Sequence, residues 1–228
     1  MVQTYQVIAV LSGDIIGSTD LTAAEIGRIR DVIRETVARF EYDWGDVVIG
    51  TPEFFSGDAW QLAMTAPQYA LRLCVLIRAE LLARLDADTR ISIGIGHVED
   101  VRQDDIALSS GEAFILSGRA LSKMTGYFDL ATHLPERVGP LSDWVLATTH
   151  ICSAFLRNWT RRQAEISGLA LLHKDATHED IGGLLTPNVR KQTVTDSLRG
   201  ANWRAVQEAL IVFEETDWHT LITDKTAV

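Results

Sequence analysis

The sequence predicts an α+β fold in which helices cover a β-sheet, followed by a small region made only of helices. Up to about residue 140, short apolar runs rich in β-branched residues alternate with longer segments of helical periodicity. The predicted order there is β-α-β-β-α-β-α-β, and every later element is a helix. We therefore predict two domains, residues 1–140 and residues 141–228.

The first predicted elements are a strand over Tyr5–Ser12 and a long helix after it. The strand contains the uninterrupted apolar run Val7–Leu11, which is short enough for a buried strand. Thr22 and Glu25 form a capping box, which marks the start of the helix. Apolar residues then recur at helical spacing as far as Trp44, so this helix should bury one face.

A β-hairpin and a second helix are predicted next along the chain. Val47–Ile49 and Ala59–Met64 are the strands, and the loop between them ends in the turn sequence Ser56-Gly57-Asp58. Thr65 is predicted to cap the second helix, which carries Pro67 in its first turn and is apolar almost all round. We expect that helix to be buried on more than one side.

Two more strands, with a helix between them, complete the predicted sheet. Arg90–Val98 alternates apolar residues with glycines, which is typical of a central strand close to another backbone. A helix runs from near Gly111 to about Met124, and Tyr127–Thr132 is the last strand. This order corresponds to a split βαβ, or ferredoxin-like, sheet.

The composition indicates a folded globular protein. Hydrophobic residues make up 46% of the chain and charged residues 23%. No apolar run approaches the ~18 residues of a membrane span, and the N-terminal run lacks the basic flank of a signal peptide. We therefore expect a cytoplasmic protein without a membrane partner. Cys74 and Cys152 lie in helical apolar patterns, so we expect reduced packing residues.

The stretch Asp14-Ile15-Ile16-Gly17-Ser18-Thr19 joins the first strand to the first helix. Asp14 is predicted to lie where the strand ends, ahead of the backbone amides of Gly17, Ser18 and Thr19. Amides near the start of a helix bind anions and a carboxylate binds a cation, so the pattern predicts a corner for metal and phosphate. The alternative is that Asp14 and Gly17 only shape a turn.

Asp58 is a second carboxylate, at the predicted hairpin turn. In the predicted sheet the first strand and this turn are neighbours, so Asp14 and Asp58 should lie side by side. Two carboxylates that meet in this way repel each other unless they hold a divalent cation, and two such metals support phosphoryl transfer. The alternative is that Asp58 is an ordinary turn residue, since Gly-Asp is common in hairpins.

These residues resemble the class III nucleotide cyclases over about Val7 to Met124. Asp14 to Thr19 is similar to the family's Asp-Ile-x-Gly-x-Thr motif, and Gly57-Asp58 is similar to its hairpin Gly-Asp. Ile93 to His97 resembles the family's Ile-Gly-Ile-His strand with one insertion. Gly111 to Arg119 keeps the Gly, the spacing and the Arg of the helix that opens Gly-x-x-Val-Asn-x-Ala-x-Arg.

The resemblance implies a site for a nucleoside triphosphate with Mg²⁺ or Mn²⁺. It assigns Asp14, Asp58 and the carbonyl of Ile15 to two metals, and Arg119 to a phosphate in the transition state. Phosphates would also contact the backbone of Ile16, Gly17, Ser18 and Thr19. Because class III sites form between two subunits, the resemblance implies a head-to-tail homodimer in which Arg119 faces the metals of its partner.

Three positions depart from the family pattern. Ile115 replaces an Asn that contacts ribose, Phe54 replaces a Lys that helps to read the base, and Leu108 replaces an Asp that reads the base. Metal and phosphate positions are therefore kept, whereas ribose and base positions are not. Hydrogen bonds of this kind in a transition state are worth ~2.7–4 kcal/mol each, so the sequence favours nucleotide binding over catalysis by the usual route.

The last third of the chain has the pattern of a helix-turn-helix. Helices are predicted over Ser142–Leu156, Thr160–Leu172 and Arg190–Arg199, with a capped short helix at 177–185 and a closing helix from Trp203. Residues 157–204 hold eight basic and five acidic side chains, although the whole chain has a net charge of −10. This is the only locally basic segment of the sequence.

The second helix of that pattern would enter the major groove of DNA. Its predicted outward residues suit phosphates, guanine edges and adenine edges; they are Arg190, Lys191, Gln192, Thr195 and Arg199. The alternative is an ordinary helical hairpin that packs the domain.

The cyclase-like front and the helical tail, with Trp159-Thr160 and Gln163 between its first two helices, together resemble the bacterial SatD family. That resemblance implies a regulatory protein with a degenerate cyclase-like domain. We therefore expect a domain that binds nucleotide and Mg²⁺ and controls DNA binding by residues 177–204. One alternative is an active homodimeric cyclase that makes cyclic nucleotide and pyrophosphate; another is a purely structural fold without a ligand.

Overall fold

A computed structural model describes residues 7–55, 57–100, 109–124 and 126–223. Tyr5, Ser56 and Leu108, which the sequence interpretation used, lie outside these ranges. Over the described residues the chain forms the strands β1 (Val7–Ile15), β2 (Val48–Phe55), β3 (Ala59–Met64), β4 (Thr89–Asp100), β5 (Ser110–Gly111) and β6 (Leu130–His133). The helices are α1 (Ala23–Trp44), α2 (Ala70–Leu85), α3 (Glu112–Lys123), α4 (Pro140–Leu156), α5 (Arg161–Leu172), α6 (His178–Leu184), α7 (Lys191–Gly200), α8 (Trp203–Glu215) and α9 (Trp218–Thr223).

The sheet is mainly antiparallel, in the strand order β2-β3-β1-β4. The outer edge of β4 pairs with two short strands, antiparallel with β5 and parallel with β6. The chain is thus an α+β protein, in which strands and helices alternate before residue 140 and only helices follow.

Helices cover both faces of the sheet. Val7, Ala9 and Leu11 of β1 lie in the large core with α1 and α2. The alternate residues Ile8 and Val10 lie in a smaller cluster with α3. This division follows from the two-residue period of a strand, and it places Asp14, an even position, on the α3 face of the sheet.

The close approach of β4 to another backbone is confirmed at Gly94. A Cβ atom at this position would lie 2.3 Å from the carbonyl oxygen of Ala113 and 2.6 Å from the amide nitrogen of Ser117. Any side chain on Gly94 would therefore push α3 off the sheet.

The C-terminal helices share the large hydrophobic core with the sheet. Leu171 of α5 and Leu210 of α8 belong to the same buried cluster as Leu73 of α2 and Leu11 of β1. Eleven residues of α2 are buried, which confirms that this helix is covered on more than one side. The division at residue 140 remains a prediction, and apolar side chains on either side of it form one continuous core.

Two local expectations were wrong, and two short elements were not predicted. β1 continues through Asp14 to Ile15, because Asp14 pairs with Ala59 of β3 and with Arg90 of β4. Thr65 does not cap α2, since its hydroxyl faces the carbonyl oxygens of Asp46 and Val47 and α2 starts after a 3₁₀ turn. The short elements β5 and α9 lack a periodic pattern long enough to predict them.

The capping boxes of α1 and α6 form as predicted. Both cysteines are buried and free. Within the described ranges, no helix combines the length and the apolar character needed to cross a bilayer.

Candidate functional site

Strand pairing brings the two predicted metal carboxylates to one cavity of about 510 Å³. Asp14 is opposite Ala59, so the preceding hairpin residue Asp58 lies beside the end of β1. The amide of Ile15 donates a hydrogen bond to the carbonyl oxygen of Asp58 at 3.2 Å. The cavity is lined by every residue predicted for metal and phosphate on this stretch, namely Asp14, Ile15, Ile16, Gly17, Ser18, Thr19 and Asp58.

The backbone after β1 turns sharply at Gly17. Its φ of +69° lies in the left-handed region that glycine adopts without strain, and a 3₁₀ turn over Ser18–Asp20 follows. No acceptor among the described residues receives a hydrogen bond from the amides of Gly17, Ser18 or Thr19. Consecutive amides of this kind form a concave binding site for an anion.

Asp58 is held in place through the hairpin. Its Oδ2 accepts a hydrogen bond from the Ser18 hydroxyl at 2.5 Å. The Arg30 guanidinium donates to the carbonyl oxygen of Gly57. Arg30 and Arg34 also lie over the ring of Phe54, at 5.3 and 4.7 Å from its centroid. Phe54 therefore fixes the hairpin to α1 by cation–π contacts.

Arg90 is a site residue that sequence reasoning missed. It faces Asp14 across the β1–β4 pair and binds it through two hydrogen bonds, with Nε donating to Oδ1 at 2.8 Å and Nη2 donating to Oδ2. The hydrogen bond to Asp14 is the main cause that raises the pKa of Arg90. In the sequence Arg90 only opens a strand, and its role depends on a partner 76 positions away.

Further ion pairs surround the cavity. Arg78 makes two hydrogen bonds to Asp88, at 2.8 and 2.5 Å, and lies 3.5 Å from Asp129. Arg157 is 3.3 Å from Asp129 and donates to the carbonyl oxygens of Gly126 and Tyr127. Burial raises the pKa of Asp129, although both guanidiniums oppose this shift. The charged groups in and behind the cavity wall carry a formal charge of −1; they are Asp14, Asp58, Asp88, Asp129, Arg78, Arg90 and Arg157.

The oxygen donors of Asp14, Asp58 and the Ile15 carbonyl suit a hard cation such as Mg²⁺, which takes few protein ligands and completes its shell with phosphate oxygens. Arg90 occupies both carboxylate oxygens of Asp14. In the described part of the chain no group of three or more His, Cys, Asp or Glu side chains is arranged to hold a metal. These donors would therefore fit a cation only if Arg90 left Asp14 and the remaining ligands came from outside the protein.

Arg119 lies away from this cavity. It is exposed on α3 and lines a different cavity, between α3, β6 and α4, together with Ile115. Within one chain the structure does not bring Arg119 together with Asp14 and Asp58.

The residues predicted to contact DNA lie on and just before α7. Arg190, Lys191, Gln192 and Arg199 are exposed, as predicted, and Thr195 is half-buried. Its hydroxyl is 2.9 Å from His178 Nδ1. The Asp196 carboxylate accepts from Gln192 at 2.9 Å and from Arg199 at 3.2 Å, which lowers the positive charge presented by this helix.

Comparisons with known proteins give a distant structural similarity but no family. No family model matches the chain, and no curated protein matches it significantly. Among solved structures, the chain is similar to the guanylyl cyclase Cya2, with a TM-score of 0.39 and 18% identity. The match covers 58% of this chain and 77% of that one. Membership of the SatD family stays a prediction.

Proposed function

We propose that the cavity at Asp14 and Asp58 binds the triphosphate of a nucleotide together with Mg²⁺ or Mn²⁺, and that this binding regulates the helical region. One observation carries the proposal: the amides of Gly17, Ser18 and Thr19, which bond to no described acceptor, line the same cavity as two guanidiniums and four carboxylates, among them Asp14 and Asp58. The order β1-α1-β2-β3-α2-β4 also supports a ferredoxin-like, cyclase-like front domain.

The charge balance supports joint binding of cation and phosphate. With a formal charge of −1, the cavity in its present state does not favour a triphosphate. A divalent cation bound to Asp14 and Asp58 would neutralise the carboxylates and polarise the phosphate oxygens. Arg90, released from Asp14, would then donate to phosphate, since guanidinium groups pair with phosphate and carboxylate alike.

Two substitutions favour binding over turnover. Ile115 offers no hydrogen bond to a ribose, and Phe54 is engaged by Arg30 and Arg34. We infer a nucleotide sensor whose catalytic machinery is degenerate.

Calorimetric titration of the full chain with each of the four NTPs, with and without Mn²⁺, tests this function. We expect binding that requires the metal and is lost in Asp14→Ala. Asp20→Ala is the matched control, because Asp20 follows the same turn but does not line the cavity. Equal binding by Asp14→Ala and the unaltered protein would contradict the proposal.

A working cyclase is the second candidate, and Arg119 is the observation in its favour. Its guanidinium has no hydrogen-bond or ion-pair partner in the described ranges. A head-to-tail homodimer would bring it to the cavity of a second copy. If so, a mixture of Asp14→Ala and Arg119→Ala chains should form cyclic product, detected by mass, when neither variant does so alone. No product from the mixture or from the unaltered protein would rule this candidate out.

The regulatory output that we propose is DNA binding by α6 and α7. Arg190 and Lys191 support it, since both are exposed and neither pairs with a described side chain. Fluorescence anisotropy with a labelled duplex should show at least ~10-fold weaker binding and a shallower salt dependence for the double variant Arg190→Ala, Lys191→Ala. Arg39→Ala, an exposed change on α1, should leave DNA binding unchanged. No DNA binding by the unaltered chain would contradict this output.

A further inference from the structure

A second cavity, of about 450 Å³, lies between α3, β6 and α4. Its volume is in the range of small-molecule sites. Met124 and Phe128 line this cavity, whereas Gly126 lines the cavity of Asp14. Met124 lines the second cavity while its carbonyl oxygen faces Arg90 at 3.4 Å. The two cavities are therefore neighbours, but different residues line them.

The rim of this second cavity carries two cations, neither of which pairs with a carboxylate among the described residues. Arg119 and Lys123 lie four positions apart on α3, so they face the same side of the helix. Neither makes an ion pair in the described ranges, whereas nearby Arg90 and Arg137 are paired with Asp14 and Glu112. Glu136 is the single carboxylate among the lining residues. In a chain with a net charge of −10, such a local excess of positive charge favours an anionic ligand.

The interior of the cavity is lined mainly by aromatic and apolar side chains. The Phe128 and His150 rings stack with their centroids 4.0 Å apart and their planes 4° from parallel. His133 of β6 also lines the cavity, and Leu116 and Ala120 contribute apolar surface from α3. Burial is the main cause that lowers the pKa of His133 and the pKa of His150. Both imidazoles are therefore neutral near pH 7, and they present aromatic surface rather than charge.

We propose that this cavity binds a small aromatic anion. The flat body lies along Phe128 and His150, and a carboxylate or phosphate head pairs with Lys123 and Arg119. Within one chain this site is separate from the cavity of Asp14, since the two have no lining residue in common.

Titration of the full chain with four probes, followed by calorimetry or NMR, tests the proposal. Phenyl phosphate and benzoate combine a ring with an anionic head, inorganic phosphate has only the head, and benzyl alcohol has only the ring. We expect the two aromatic anions to bind at least ~10-fold more tightly than the other two probes. Stronger binding of one aromatic anion identifies the head group, and equal binding of all four probes would overturn the proposal.

Three variants and one control variant locate the ligand. Lys123→Gln, an exposed change, should weaken binding of the aromatic anions ~5–10-fold, and Ala120→Phe should abolish it by filling the cavity with both charges intact. Lys191→Gln, an exposed lysine in another helix, is the matched control. Asp14→Ala should bind the aromatic anions normally; loss of binding there would place them in the other cavity and overturn the assignment. Full binding by Lys123→Gln and Ala120→Phe would also overturn it.

Discussion

Asp14 and Arg90 occupy facing positions on β1 and β4, and this pairing sets the chemistry of the cavity. A carboxylate with two hydrogen bonds from a guanidinium is not a free metal ligand. In the function that we propose, a cation would have to replace Arg90 at Asp14, and this exchange would leave Arg90 available for an anion. Arg90 would then oppose the binding of metal alone and favour the joint binding of metal and phosphate.

Arg90→Met separates these two effects. Asp14 loses its partner, so Mn²⁺ alone should bind more tightly than it does to the unaltered protein. An NTP with Mn²⁺ should bind ~10-fold or more weakly, because hydrogen bonds to charged groups are worth ~1.5–3 kcal/mol. Calorimetric titrations of both ligands measure the two changes. Arg84→Met, which removes an exposed ion pair with Glu35, is the control. Unchanged Mn²⁺ affinity in Arg90→Met would contradict this account of Asp14.

His133 should make the stability of the protein depend on pH. Burial, with repulsion from His150 and Lys123, lowers its pKa below the usual 6.5. The unfolded chain therefore binds a proton at a higher pH than the folded chain does. The stability that depends on neutral His133 is fully present above about pH 6.5, and it is lost as the pH falls through the lower pKa of the folded state.

His133→Gln should reduce the fall in melting temperature between pH 7.5 and pH 5.5. Thermal unfolding followed by circular dichroism at both values measures the difference. His173→Gln, outside this cavity, should retain the full fall. The same fall in His133→Gln would show that His133 does not cause it.

At the scale of elements, the α4–α5 junction connects the cavity of Asp14 to the end of α7. Arg157 lines the cavity, and two residues later the buried Trp159 indole donates to the carbonyl oxygen of Ala201 at 2.8 Å. The capping box of Thr160 and Gln163 then starts α5. A Cβ atom on Gly200 would lie 2.7 Å from Gln163 Nε2, so α5 and α7 are in close contact. A ligand that moved Arg157 would act directly on the α7–α8 turn.

Trp159→Phe should destabilise the protein by about 1–3 kcal/mol, because the buried carbonyl of Ala201 loses its donor. Urea unfolding measures the change in the free energy of unfolding. Trp144→Phe is the matched control, since Trp144 is 71% exposed and the same substitution there should cost less than about 0.5 kcal/mol. Equal stabilities of the two variants would argue against a role for this hydrogen bond.

At the scale of the whole molecule, the sheet and the C-terminal helices form one packed body. Arg72 of α2 is almost fully buried, pairs with Glu214 of α8 and donates to the carbonyl oxygen of Leu171 at 3.1 Å. Removing the helices would expose this guanidinium together with the apolar face of α2 that packs on α5. The C-terminal region therefore completes the core of the sheet.

A fragment of residues 1–140 should fail to fold stably, and the full chain should unfold in one transition. Differential scanning calorimetry of the full chain measures the number of transitions, and near-ultraviolet circular dichroism reports packing in the fragment. Two separate transitions, with a well-packed fragment, would instead support the two-domain division at residue 140.

Most elements of the fold were predictable from sequence because their signals are local. Capping boxes and apolar periods operate over a few residues, so the starts of α1 and α6 follow from Thr22 with Glu25 and from Thr177 with Asp180. Thr65 misled the prediction, because a hydroxyl that resembles a helix cap bonded to a neighbouring strand instead. The α7 surface was predicted only in part, since Asp196 pairs with two of its outward residues.

The sequence by itself determined the alternation of strands and helices and the carboxylates at the end of β1 and at the hairpin, because each depends on residue type and spacing along the chain. Only the tertiary structure decided what surrounds them. Arg90 pairs with Asp14, 76 positions away in the sequence. Arg157, just after α4, pairs with Asp129, which precedes β6. Such pairs depend on strand register and helix packing, which arise when the whole core closes, and no local pattern encodes them.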